Sequence, residues 1–128
     1  MATIDLNRTA FETTITADDA IVLVDFWAEW CGPCRQFGPI FERVSDKHPD
    51  IIFAKVDTDA NQDLSEMAGI RSIPTLMIFR DGVLLYNKAG AAPEPALEDL
   101  IAQVRGLDMA VVRAEIEAQQ ATSEEPAP

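Results

Sequence analysis

Two cysteines separated by two residues are the feature of this sequence with the clearest chemical potential. Cys31 and Cys34 are the two cysteines of the 128-residue chain, and they lie in the segment Trp30-Cys-Gly-Pro-Cys34. This spacing brings both sulfurs to one side of a helical turn, close enough to alternate between a dithiol and a disulfide. Such a pair can exchange disulfides with another molecule, bridge the chain structurally or supply half of a zinc site.

A buried strand and a helix are predicted to hold the pair. The run Ile21-Val-Leu-Val-Asp-Phe26 is apolar on both alternating faces, which is typical of a central strand covered by helices on both sides. Its one polar member, Asp25, is therefore expected to be buried. After the cysteines, apolar residues recur at helical spacing, at Phe37, Ile40, Phe41 and Val44. We therefore expect a helix that begins near Cys31.

The predicted helix start gives the two sulfurs different roles. Unpaired backbone N–H groups and the positive end of the helix dipole favour a thiolate in the first turn, so Cys31 is expected to be the attacking sulfur. Cys34 lies one turn deeper and is expected to be the resolving thiol. Gly32 allows a partner's backbone to approach, and Pro33 stiffens the turn.

The remaining pattern predicts an α/β domain with a mixed sheet. Predicted strands cover residues 3–6, 51–56, 75–79 and 83–86, and the last two are joined by a tight turn at Asp81-Gly82. Thr9 with Glu12 resembles a capping box for a first helix, and Gly69 can end a short helix after residue 62. A further helix is predicted from Pro95 to Gly106.

Residues beyond Gly106 are predicted to form an appendage. The helical pattern resumes through Met109, Val112 and Ile116 and then gives way to a polar, proline-containing tail at residues 121–128. We therefore divide the chain into a domain at residues 1–106 and a C-terminal extension at residues 107–128, a helix followed by a disordered tail.

Composition restricts the partners and the compartment. Ten basic and 22 acidic residues give a formal net charge of -12, which argues against binding to nucleic acid or to an anionic membrane surface. Residues 1–10 do not resemble a secretory signal, and we expect a cytoplasmic protein. A closed zinc site is not expected, because His48, the one histidine, lies beyond the far end of the same predicted helix. These observations favour a redox role for the cysteines.

A family resemblance agrees with this interpretation. The stretch from Val24 to Arg35, with its WCGPC segment, resembles the active-site signature of the thioredoxin family almost residue for residue, and Ile73-Pro74-Thr75 resembles its second hallmark. The resemblance implies a central mixed five-stranded sheet flanked by four helices. It also implies a protein-disulfide reductase, a thiol-disulfide oxidoreductase that acts as an electron donor to cytosolic proteins. The Gly-Pro spacer is similar to that of the reducing members.

The resemblance also implies roles for individual residues. Asp25 matches a buried carboxylate that helps to take the proton from the resolving thiol, and its burial should raise the pKa of this carboxyl. Lys55 matches the lysine near it, and Pro39 a proline that kinks the active-site helix. Pro74 matches a proline preceded by a cis bond. The implied substrate-docking surface comprises Trp30, Gly32, Pro33, Ile73, Pro74, Gly90 and Ala91.

The resemblance further implies partners and leaves alternatives open. It implies a monomer without a bound cofactor, which a thioredoxin reductase recharges with electrons from NADPH and which reduces disulfide-containing proteins. Ala89 and Gly38 depart from the family pattern, and the extension has no role that the family supplies. An oxidase or isomerase outside the cytosol is the catalytic alternative. The non-catalytic alternative is a binding module in which the two thiols have no part in the function.

Overall fold

The chain folds into one mixed β-sheet with helices on both faces. A computed structural model describes residues 2–124, with side chains up to residue 121. The strands are β1 (Thr3–Asp5), β2 (Ile21–Trp27), β3 (Ile52–Asp57), β4 (Thr75–Arg80) and β5 (Val83–Ala89). The helices are α1 (Arg8–Ile15), α2 (Gly32–Lys47), α3 (Gln62–Met67), α4 (Glu94–Gly106) and α5 (Met109–Glu124). The predicted elements are all present within a few residues of these bounds.

The sheet has the strand order β1-β3-β2-β4-β5. The strand β3 pairs in parallel with β1 and β2, whereas β4 pairs antiparallel with β2 and β5. Because β2 and β4 are antiparallel neighbours, the C-terminal end of β2 and the N-terminal end of β4 meet at one edge of the sheet. The cysteine segment follows β2, and Ile73-Pro74 precedes β4, so this topology brings the two motifs together.

Each face of the sheet buries its own hydrophobic core. On one face, α2 and α4 pack through Phe37, Phe41, Leu97 and Ile101 against strand residues such as Leu23. On the other face, Phe11 of α1 and Leu64 of α3 pack against Val24, Phe26 and Val56. Alternate residues of β2 thus enter different cores, as its continuous apolar pattern predicts. The central strand is therefore buried on both faces, and the cysteine segment follows its C-terminal end.

Local backbone conformations explain several boundaries. Asp81 and Gly82 have φ angles of 53° and 77°, as the predicted tight turn requires, and Gly69 has a φ of 72° after α3. The predicted capping box at Thr9 and Glu12 is wrong, because Asn7 is the N-cap of α1 and its side chain accepts from the N–H of Ala10 at 2.9 Å.

The segment after α4 is docked onto the end of the sheet that lies away from the cysteines. The Arg80 guanidinium donates to the backbone carbonyls of Val104 at 2.7 Å and of Leu107 at 3.0 Å. Met109 is only 8% exposed, and Arg113 donates to the Asp81 carbonyl at 3.4 Å. The helix α5 continues to Glu124, so part of the predicted disordered tail is helical. Residues 125–128 lie outside the described residues.

None of the helices in the described part of the chain combines the length and the hydropathy that a membrane crossing requires.

Candidate active site

Cys31 and Cys34 form a disulfide at the N-terminus of α2. Their Cα atoms are 5.2 Å apart, and Cys31 is the N-cap residue of the helix. The backbone N–H of Cys34 donates to Cys31 Sγ at 3.2 Å. One of the unpaired N–H groups of the first helical turn therefore points at the sulfur that was predicted to attack, and it stabilises negative charge there when the disulfide is reduced. Both cysteines are 4% exposed in this disulfide form.

The Ile73-Pro74 segment lies directly against this disulfide. The peptide bond between Ile73 and Pro74 is cis, as the resemblance implied. The carbonyl oxygen of Ile73 lies 3.6 Å from Cys31 Sγ. The N–H of Gly90 donates to the Pro74 carbonyl at 2.8 Å, and Gly90 has a φ of 110°, a conformation that favours glycine. These contacts join the loops before β4 and after β5 at the edge of the disulfide.

An exposed tryptophan forms one wall of a groove beside the cysteines. Trp30 is 68% exposed, and its indole N–H donates to the carboxylate of Asp59 at 2.9 Å. The groove has a volume of about 390 Å³ and is lined by residues that include Trp30, Ile70, Arg71 and Ile73. We call it the docking groove. Asp59, which fixes the Trp30 ring, was not among the predicted site residues.

Asp25, two residues before the end of β2, is buried, as predicted from the hydropathy of this strand. It is 0% exposed, and neither of its carboxylate oxygens has a hydrogen-bond partner. Burial raises the pKa of Asp25 to about 7, although the positive charge of Lys55 opposes this rise. A carboxyl with this pKa exchanges its proton near neutral pH, which suits a group that accepts a proton from a thiol.

A pocket between α2 and the ends of β2 and β3 reaches Lys55 and the second cysteine. It has a volume of about 350 Å³, and the residues that line it include Trp27, Cys34, Gly38, Pro39, Glu42 and Lys55. We call it the α2 pocket. Lys55 Nζ lies 4.8 Å from the centre of the Trp27 ring, a cation–π contact. Pro39 lies inside α2 and cannot donate a backbone hydrogen bond to the preceding turn.

The structure thus brings most of the predicted site residues to one end of the sheet. Cys31, Ile73, Pro74 and Gly90 are joined by direct contacts, and Trp30 borders the same edge through the docking groove. Lys55 lines the α2 pocket together with Cys34, and Asp25 is the register partner of Lys55 on β2. His48 is the C-cap residue of α2, and its ring nitrogens contact Glu98 and Arg105. Among the side chains that the structure describes, which end at residue 121, no group of three or more metal-ligating residues could hold an ion.

Comparison with known proteins identifies the family. Residues 2–103 match the family model described as Thioredoxin. The chain belongs to the thioredoxin family. It is a thiol-disulfide oxidoreductase with the Cys31–Cys34 pair as its redox-active disulfide. The predicted fold class and the predicted reaction type are therefore confirmed.

Individual thioredoxins resemble the chain over most of its length. A protein of Streptomyces coelicolor named "Putative thioredoxin 2" is 51% identical over 120 residues, which cover 94% of this chain and 89% of that protein. A thioredoxin of Coprinus comatus is 47% identical over 89 residues, which cover 68% of this chain and 83% of that protein. The crystal structure of the Malassezia sympodialis thioredoxin superposes with a TM-score of 0.72 at 33% identity, covering 80% of this chain and 93% of that one.

Proposed function

We propose that this thioredoxin reduces disulfides of cytoplasmic proteins, with Cys31 as the nucleophile, Cys34 as the resolving thiol and Asp25 as the proton acceptor. The observation that carries the assignment is the N–H of Cys34 aimed at Cys31 Sγ at the start of α2. Because this N–H stabilises a thiolate on Cys31 rather than on Cys34, the two sulfurs are not equivalent.

The proposed cycle passes two electrons to the substrate. The Cys31 thiolate attacks one sulfur of the substrate disulfide, so the substrate S–S bond breaks, a mixed disulfide forms and the first substrate thiolate leaves. Cys34 then gives its proton to the Asp25 carboxylate and attacks Cys31 Sγ. The bond between Cys31 and the substrate breaks, the Cys31–Cys34 disulfide forms, and the second substrate thiolate leaves.

The proposed docking surface surrounds the disulfide and favours an extended substrate. The Ile73 backbone borders Cys31 Sγ, and an extended peptide there can pair with it in the manner of an added strand. The docking groove beside Trp30 offers apolar area for a neighbouring substrate side chain. We assign the surface to Trp30, Gly32, Pro33, Ile73, Pro74, Gly90 and Ala91, with Lys55 and Pro39 in supporting roles.

We further propose that a thioredoxin reductase regenerates the dithiol with electrons from NADPH, and that the protein works as a monomer without a bound cofactor. We assign catalysis to residues 1–106 and treat residues 107–128 as an extension. The anchoring of α5 at the Arg80 end of β4 supports this division, because that end lies away from Cys31.

A turnover assay with a disulfide-containing protein, NADPH and a thioredoxin reductase tests the proposed roles. Cys31→Ser is expected to abolish reduction. Cys34→Ser is expected to retain the first attack and to accumulate covalent mixed disulfides, which mass spectrometry detects. Wild-type turnover in either variant, or mixed disulfides that form on Cys34 in the Cys31→Ser protein, would show that the roles are assigned wrongly.

A further inference from the structure

Gly38 lies in the middle of α2, where glycine is a costly choice. Glycine in a helix interior is about 1 kcal/mol less favourable than alanine. Gly38 is not among the glycines with a positive φ, so its backbone does not require glycine. A Cβ atom built on Gly38 meets one neighbour within 4 Å, Lys55 Nζ at 3.8 Å, which is an ordinary contact distance. A longer side chain at this position would occupy the α2 pocket.

The α2 pocket connects solvent with the charged groups behind the disulfide. Its volume of about 350 Å³ is enough for several water molecules. Lys55 enters it from β3, Glu42 and Arg35 from α2, and Glu29 from the loop before the helix. Cys34 contributes to its wall, whereas Cys31 does not. The pocket therefore reaches Cys34, the proposed resolving thiol, and shares no lining residue with the docking groove.

Two polar side chains beside this pocket lack protein partners: Trp27, which lines it, and Asp25, the register partner of the lining residue Lys55. Both Asp25 oxygens and the Trp27 indole N–H are buried without a hydrogen bond. The charge of Lys55 offsets part of the rise that burial causes in the pKa of Asp25. The described residues nevertheless show no ion pair within 4 Å between the two side chains. Opposite charges that make no direct contact can be linked by a bridging water.

We propose that Gly38 is a positioning residue for proton transfer: by carrying no side chain it keeps the α2 pocket open, so that water from the surface solvates Lys55 and reaches the Asp25 carboxylate. This inference rests on the proposed role of Asp25 as the acceptor of the Cys34 proton. In each cycle Asp25 receives one proton from Cys34 and must release it before the next, and the pocket water carries that proton to solvent.

The test compares two side chains of similar shape and different polarity. Gly38→Leu fills the pocket with apolar atoms, whereas Gly38→Asn fills it with an amide that hydrogen-bonds water and Lys55. Gly38→Ala fills it in part. Gly106→Ala, at the end of α4, serves as the control for replacing a helical glycine, because a Cβ on Gly106 meets nothing within 4 Å. Urea denaturation of each variant measures the cost of a side chain before Pro39.

Two measurements report on the solvation of Asp25. The first follows the carboxyl carbon of Asp25 by NMR across pH in the folded protein. The second mixes the reduced protein with a chromogenic aromatic disulfide in a stopped-flow instrument. The first thiolate released reports the attack by Cys31, and the second reports resolution by Cys34, so the two steps are separated.

Gly38→Leu is expected to move the Asp25 titration upward by about one pH unit, because desolvation disfavours the carboxylate. From a midpoint of about 7, this shift slows the Cys34 step about fivefold at pH 7 and leaves the Cys31 step unchanged. The Asp25 titration is expected to shift less in Gly38→Ala, to stay near that of the wild type in Gly38→Asn, and not to shift in Gly106→Ala.

The role of Gly38 and the catalytic role of Asp25 are tested by different results, so either one can fail while the other stands. An unchanged Asp25 titration in both Gly38→Leu and Gly38→Ala would overturn the role of Gly38. Equal shifts in the Leu and Asn variants would also overturn it, because bulk rather than lost solvation would then be the cause. Failure of the proposed role of Asp25 is seen separately, as a wild-type rate and pH profile of the Cys34 step in Asp25→Asn.

Discussion

Asp25 and Lys55 face each other across neighbouring strands without forming a direct ion pair. They are register partners in the parallel pairing of β2 and β3, and the described residues show no contact between their charged groups within 4 Å. Burial therefore outweighs the attraction, and the pKa of Asp25 rises from 3.8 to about 7. The protein keeps an acid in its interior whose ionisation costs stability at neutral pH.

This cost predicts how stability depends on pH. The unfolded chain releases the Asp25 proton near pH 3.8, whereas the folded chain holds it up to about pH 7. As the pH rises between these values, ionisation favours the unfolded state, so the contribution of Asp25 to stability falls and then levels off. The shift of about three units corresponds to roughly 4 kcal/mol. Asp25→Ala is therefore expected to stabilise the protein above pH 7.

Urea denaturation of the wild type and of Asp25→Ala at about pH 4, 6 and 8 checks this prediction. The difference in free energy of unfolding is expected to grow with pH, while turnover of the variant falls. A difference that is constant across this range would contradict the raised pKa. A destabilised variant with full activity would contradict both parts.

Arg80 is expected to be the main tie between α4 and the segment that follows it. Its guanidinium bonds the carbonyls of Val104 and Leu107, which are backbone acceptors at the end of a helix. Hydrogen bonds to a charged group contribute about 2 kcal/mol, so Arg80→Ala should lower the free energy of unfolding by roughly that amount. Arg80→Lys should recover part of the loss. Equal stability of the Ala variant and the wild type in urea denaturation would refute this role.

Deletion of residues 107–128 is expected to lower stability and to leave disulfide reduction unchanged. The deletion removes the buried Met109 side chain, worth about 2 kcal/mol, together with the contact between Arg113 and Asp81. The attachment at Arg80 lies five residues along β4 from Thr75, roughly 17 Å from the cysteine end of that strand. Met109→Ala in the full chain is the matched control.

A turnover assay and urea denaturation on the same preparations separate these effects. The truncated protein should show the wild-type rate of disulfide reduction at a temperature where it is fully folded. Slower reduction by a folded truncated protein would show that the extension contributes to the reaction.

The start of α1 offers a test of helix capping. Asn7 accepts from the N–H of Ala10, whereas the side chain of Thr9 lies beyond the cap, inside the helix. Asn7→Ala should cost about 1 kcal/mol of stability, and Thr9→Ala should cost much less. Thermal unfolding of the two variants measures the difference. A larger loss in Thr9→Ala than in Asn7→Ala would restore the capping box that the sequence suggested.

Periodicity alone was enough to predict the layers of this fold. The unbroken apolar run of β2 predicted a strand buried on both faces, and the spacing of Phe37, Phe41 and Val44 predicted the inward face of α2. The strand β5 continues to Ala89, three residues beyond its predicted end, because Asn87 and Lys88 lie on an exposed edge where polar residues do not interrupt pairing. Hydropathy carries no signal for such a continuation.

Contacts between distant segments were beyond the reach of these patterns. Arg80 finds its acceptors 24 and 27 residues later, and Asp59 reaches Trp30 across 29 residues. Neither pair has a local spacing rule that could reveal it. The position of Gly38 opposite Lys55 likewise follows from how α2 crosses the sheet, which no single segment of sequence specifies.

The antiparallel pairing of β2 with β4 has a practical consequence for measurements on this molecule. The chain leaves β2 toward Cys31 at the same border where it enters β4 from Pro74. If the hydrogen bonds between β2 and β4 shift or break, the cysteine segment and the Ile73-Pro74 segment separate. A partly unfolded molecule then loses its docking surface and exchanges disulfides more slowly with folded proteins. Thiol exchange with a bulky disulfide can therefore serve as a reporter of ladder integrity, readable in a cuvette without any spectroscopic label.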